Sequence, residues 1–150
     1  MKKLFAIACT ALLLAGCGSS SEPKKESKTC SMDVQGMKAS IKIDATDNKI
    51  TNMQLVYDIP KDLTGTDASD LSKDDLDTLG SAFVSKMGVK GKAGVSAKYE
   101  KNGADLKATM TIDMSKVEGS TLKTLGFGDS KDAPFDKTIE LSEKQGMTCK

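Results

Sequence analysis

Strict alternation of apolar and polar side chains is the feature that most narrows what this chain can fold into. Cys30, Met32 and Val34 alternate with Ser31, Asp33 and Gln35, and Ile41, Ile43 and Ala45 alternate with Lys42, Asp44 and Thr46. After the two-residue turn signal Asp47-Asn48, the residues Met53, Leu55, Tyr57 and Ile59 keep the same period until Pro60 stops the run. Side chains two apart point to one face of a strand, so each run predicts a strand with one wet face, and the three together an antiparallel meander. A second set follows: Val95, Ala97 and Tyr99 lead to Asn102-Gly103, a strong hairpin signal, and Leu106, Ala108, Met110, Ile112 and Met114 return.

Between the two sets the period changes. Residues 61–72 read as loop, and Ser72 with Asp75 resembles a helix-start box. Leu76, Leu79, Phe83 and Met87 then recur at spacings of three and four, one stripe suited to lying on a sheet, with Gly88 as a left-handed stop. Further on, Ser115 to Leu125 reads as a short helix weakened by Gly119, and Gly126 to Ala133 as loop. A last helix begins near Pro134, carries Phe135 and Ile139 one turn apart with Leu141 nearby, and closes at Gly146 before the tail Met147 to Lys150. The expected fold class is α+β: an antiparallel sheet of about five strands with two to three helices on one face, in a single domain over residues 29–150.

The N-terminus reads as a targeting segment. Met1-Lys2-Lys3 is a cationic start, and Leu4 to Ala15 is an apolar run too short to span a bilayer, which takes about 20 residues. It ends in Leu14-Ala15-Gly16-Cys17, which resembles at all four positions the lipobox of bacterial lipoproteins, cut before a cysteine whose sulfur carries a diacylglycerol. Residues 1–16 are thus expected to be a signal peptide and Cys17 the lipidated first residue of the mature chain. Two acyl chains anchor stably where one is marginal, because each buried methylene adds about 0.8 kcal/mol. Gly18 to Lys28 has no apolar side chain and reads, with Cys17, as a flexible tether over 17–28.

Composition removes whole classes of chemistry. Among 150 residues there is no His, and all 22 cations are Lys. A Ser-His-Asp triad, a His-ligated metal and an imidazole base are therefore excluded, as are bidentate Arg clamps. The net charge of +1, near −1 once Lys2 and Lys3 leave with the signal, offers no basic field for nucleic acid. No phosphate-cradling glycine loop and no nucleophile elbow is present. Neither a cofactor nor a metal site is expected.

Cys9 leaves with the signal and Cys17 is used by the anchor, so the domain keeps Cys30 and Cys149. An even pair in an exported domain points to a structural disulfide stapling the first strand to the C-terminal tail. Two free thiols and a redox-active pair are the alternatives, the last disfavoured because Cys30 lies on the inward face. Asp67, Asp70, Asp74, Asp75 and Asp77 form the densest acidic group. Their spacing does not match a calcium loop, and aspartate near a helix start is what the helix dipole favours. Eight methionines raise the question of thioether copper ligation, but Met53, Met110 and Met114 lie on strand faces that need filling.

Together with the lipobox, the stretches Gly94 to Val117 and Leu141 to Cys149 resemble the YehR-like family of small bacterial lipoproteins, a domain of unknown function. The resemblance runs from about Cys30 to the end and implies a compact α+β lipoprotein outside a membrane; it carries no catalytic residue. The expected function is a non-catalytic, lipid-anchored envelope protein, exported and held on the extracytoplasmic face, whose partner is a small ligand, a cell-wall component or another envelope protein. The alternative is a hydrolase using the Asp67–Asp77 cluster as acid and base or as metal ligands.

Overall fold

The computed structural model describes residues 22–128 and 131–150. The strands are β1 (Lys25–Val34), β2 (Met37–Thr46), β3 (Lys49–Ile59), β4 (Val95–Asn102), β5 (Asp105–Asp113) and β6 (Thr148–Cys149). The helices are α1 (Lys61–Thr64), α2 (Lys73–Lys86), α3 (Gly119–Thr124) and α4 (Phe135–Lys144). All strand pairs are antiparallel, in one sheet ordered β4-β5-β3-β2-β1-β6. The α+β expectation holds, with six strands instead of about five.

The meander folds as the alternation dictates. Asp47 and Asn48 sit at φ 51° and 61°, the left-handed pair that a two-residue hairpin turn requires. Cys30, Ile41, Leu55, Met110 and Ala97 fall opposite one another across five strands, so one face gathers the apolar residues. That face forms the core with Ile43, Met53, Met110, Ile112, Val117, Leu122 and Phe135, all buried. The opposite face carries Lys38, Asp58, Lys107 and Glu100 in one row, a polar surface. Between Asp44 and Ala45 the register slips by one residue against Asn52 and Ile50, a bulge.

The β4–β5 hairpin forms around Gly103 at φ 66°, but its outermost pair is Asn102–Asp105, so the turn residues are Gly103-Ala104, one place later than the Asn-Gly signal indicates. β5, not β4, docks on β3. The connection through α2 therefore steps over one strand, and β4 runs parallel to β3 at the sheet edge. α2 starts as expected: the Ser72 hydroxyl accepts from the Asp75 N–H, and the Asp75 carboxylate accepts in return from the Ser72 N–H. It ends at Gly88, φ 72°. Its one fully buried residue is Gly80, outside the predicted stripe, where a Cβ would sit 3.2 Å from the Ala97 carbonyl oxygen. A hydrogen side chain is what lets the helix backbone approach β4 so closely. Phe83 of the stripe stands edge-on to Tyr57 and Tyr99, at 6.5 and 5.9 Å between ring centroids.

Four expectations are corrected. β1 begins at Lys25, inside the stretch read as tether, because Lys25 to Lys28 pair with Thr46 to Ile43 and a strand needs no apolar side chains where its neighbour supplies the ladder. The tail contains β6, whose two residues are too short to show any period. Residues 61–72 hold α1 and a 3-10 turn at Ala68–Asp70, with Ala68 fully buried. Met32 and Val34 lie on the core face as predicted, yet each is 37% exposed, because no helix covers that end of the sheet.

Candidate functional site

The uncovered end is where side chains of one chemistry converge. Met32 and Val34 of β1, Met37, Ala39 and Ile41 of β2 and Leu55 and Tyr57 of β3 share the core face, and with Met147 they line an open concavity of about 280 Å3. α2 packs on β4 and α4 on β1 and β6, leaving this gap between them. Ala39 falls between Met32 and Tyr57 in the cross-strand row, so the floor is low where the walls are long. No charged residue lines it. Sequence reading assigned Met32 and Val34 to the core and passed over Met37; a period-two pattern identifies the face of a strand but not whether a helix covers it.

The concavity lies at the far end of β1 from the point where the chain enters the sheet. A 10-residue strand at about 3.3 Å per residue spans roughly 33 Å. At the entry end, the Lys24 amide donates to Asp47, and the Phe135 amide, which opens α4, donates to the Asn48 carbonyl.

Next to the concavity is the disulfide. Cys30 and Cys149 are joined, with Cα atoms 3.9 Å apart and a sequence separation of 119. They are a directly opposed pair of β1 and β6, flanked by reciprocal 2.9 Å hydrogen bonds between Thr29 and Lys150. Cys30 is fully buried. The structural pairing expected from cysteine count is the one found, and neither sulfur is a free thiol.

Three of the five clustered aspartates are committed to local duties. Asp67 caps the 3-10 turn by accepting from the Ser69 amide and takes a 2.6 Å ion pair from Lys61, which together with the Ser69 hydroxyl holds its carboxyl far below the usual carboxylate range. Asp75 closes the capping box, and bonds from the Ser72 hydroxyl and amide lower its pKa. Asp77 pairs with Lys73 one helical turn away at 2.6 Å. A cleft of about 530 Å3 opens beside α2 between Thr66, Leu79 and Leu106, and of the five aspartates only Asp75 lines it. Acids held below their normal range and committed to capping are poor proton donors near neutral pH.

Two further carboxylates organise the polar face. Partial burial raises the pKa of Asp44, but hydrogen bonds from Ser27, Lys42 and Asn52 outweigh it and leave the group below its ordinary value. Asp113, at the end of β5, accepts from the Ser115 hydroxyl and amide and from Lys116, which bring it down to about 2. Among the described residues no group of three or more carboxylate or cysteine side chains is gathered to hold a metal. Cys17 and the signal segment lie outside the described residues, and no described helix is long and apolar enough to cross a membrane.

A sheet of six antiparallel strands with its helices on one face, closed by a disulfide at one edge, defines a small α+β domain of YehR-like fold. The structure is similar to the NMR structure of the Escherichia coli YehR protein, at 22% identity over 85% of this chain and 91% of that one, with a TM-score of 0.63. It is also similar to the NMR structure of a protein from Streptococcus pneumoniae TIGR4, at 12% identity over 100% of this chain and 98% of that one, with a TM-score of 0.56. No protein-family model and no curated protein sequence matches the chain. Likeness at these identities establishes the fold and leaves the activity to be argued from the site.

Proposed function

We propose that the protein is a YehR-like lipoprotein, anchored by a diacylglycerol on Cys17 at the extracytoplasmic face of a membrane, and that it acts as a non-catalytic binding module. The observation that carries this reading is the placement of the apolar concavity at the end of the sheet remote from the chain's entry at Lys25. Cys17 precedes β1 by eight residues, a reach of at most about 28 Å. A domain tethered there turns its entry end toward the lipid and offers the Met32 end to whatever the envelope contains. An uncharged, methionine-walled concavity suits an apolar or polarisable ligand, since thioether side chains adapt their shape to what they bind.

Intact mass of the protein extracted from its native membrane tests the anchor: the expected mass is that of a chain starting at Cys17 with added acyl groups, alkylated at Cys30 and Cys149 only after reduction. An uncleaved, unlipidated chain overturns it. Native mass spectrometry of the same extract tests the binding half, with an adduct expected that Ala39→Trp, which fills the floor, removes.

A further inference from the structure

The seven methionines among the described residues fall into distinct sets once the chain is folded. Met53, Met110 and Met114 are core, exposed by 6% or less, and Met87 is a solitary exposed residue capping α2. Met32, Met37 and Met147 instead meet at the one concavity described above. Met32 faces Ala39 and Val34 faces Met37, which makes Met32 and Met37 diagonal neighbours on one sheet face, with Cβ atoms within about 7–8 Å. Met147 immediately precedes β6, and because β6 is antiparallel to β1 the step beyond the Ser31–Thr148 pair sets Met147 opposite Met32 across the edge. Three unbranched side chains with three rotatable bonds each can bring their sulfurs together from such positions.

We propose that Met32, Met37 and Met147 form a thioether site for a soft monovalent cation, Cu(I) in the cell. Thioether sulfur selects Cu(I) among the biological metals, and a ligand set without charge favours a monovalent over a divalent ion, whose burial without a counter-charge costs far more. The chain has no histidine, and Cys30 and Cys149 are oxidised, so among the described residues the thioethers are the soft ligands the domain has to offer. Tyr57 adds an aromatic wall, which attracts cations through its π-face. This inference rests on the concavity being the binding site of the proposed module and names the ligand class.

The test uses the oxidised domain with its methionine ε-methyl groups carbon-13 labelled, titrated with Ag(I) in chloride-free buffer as a redox-inert stand-in for Cu(I). Saturation at one equivalent is expected, with methyl shifts at Met32, Met37 and Met147 and none at Met87. The variant Met32→Leu/Met37→Leu/Met147→Leu should bind at least ~10-fold more weakly at an unchanged melting temperature. Met87 shifting in step with the three, affinity equal in the variant, or the absence of saturable binding each overturns the site. The Met87 comparison is internal to one molecule and stands even if the variant folds poorly. Failure here leaves the anchor and an organic ligand untouched, because those are read by mass on the native extract.

Discussion

The two edges of the sheet are held in opposite ways. At the β4 edge, α2 packs against a strand of 8 residues, Gly80 brings the two backbones together, and Phe83 spans Tyr57 and Tyr99, so many modest contacts share the task. At the β1 edge, β6 contributes two residues and one covalent bond. A two-residue strand cannot hold its place by ladder bonds alone, since each hydrogen bond nets only about 1 kcal/mol against the entropy of ordering the tail. One edge is therefore distributed and degrades gradually; the other depends on a single bond.

The largest effect that sharpens this contrast is expected from Cys30→Ala/Cys149→Ala. Freeing a loop of about 120 residues costs up to roughly 4–5 kcal/mol through denatured-chain entropy. Hydrogen exchange should show the Thr29 and Lys150 amides losing protection before any in β2, β3 or β5; uniform loss would mean that the edge is not an independent unit. Next is Gly94→Ala at the mouth of β4. A Cβ there would lie 2.5 Å from the Val117 nitrogen and 2.8 Å from the Asp113 oxygen at φ 76°, so destabilisation on the order of 3 kcal/mol is expected in urea melts. A neutral result would show that the β4 edge yields more than its packing implies. Ser72→Ala removes the capping-box acceptor and should cost about 1 kcal/mol, read as a drop in melting temperature with no change in the β6 amides.

The smallest effect concerns acid. Asp113 titrates at about 2 in the folded protein against about 4 in the unfolded chain. Its stabilisation is fully present above the unfolded value and is lost as pH falls through about 2. Parallel urea melts from pH 6 to 2 on wild type and Asp113→Asn should diverge at pH 6 and converge toward pH 2. Curves that stay parallel would remove Asp113 from the β4 edge's support. Because the group is exposed, screening keeps the divergence small, and added salt should shrink it further.

Much of this was legible from residue order. Cross-strand partners such as Ile43 and Met53 announce themselves by period two, Ser72 and Asp75 by the spacing of a capping box, and Asp47-Asn48 by its tolerance for positive φ. Gly80 was not legible: a glycine within a helix reads as a weakness until the strand it admits is known. β6 was not legible either, for two residues are too few to show a period. The aspartates of residues 67–77 looked like a cluster because they are close in sequence, whereas in space Asp67, Asp75 and Asp77 are each turned to a separate cap or ion pair.

By itself the sequence determined the local geometry: which stretches are strands, where α2 starts and stops, which face of each strand is apolar, and, through the absence of His and Arg, what chemistry is closed to the chain. These are properties of neighbours along the backbone, where sterics and hydrogen bonding act over a few residues. Only the tertiary structure decided that β5 and not β4 docks on β3, that the tail becomes an edge strand, and that Met32, Met37 and Met147 line one open concavity. Those outcomes depend on how far α2 and α4 extend over the sheet, a matter of packing between elements distant in sequence that no local pattern encodes.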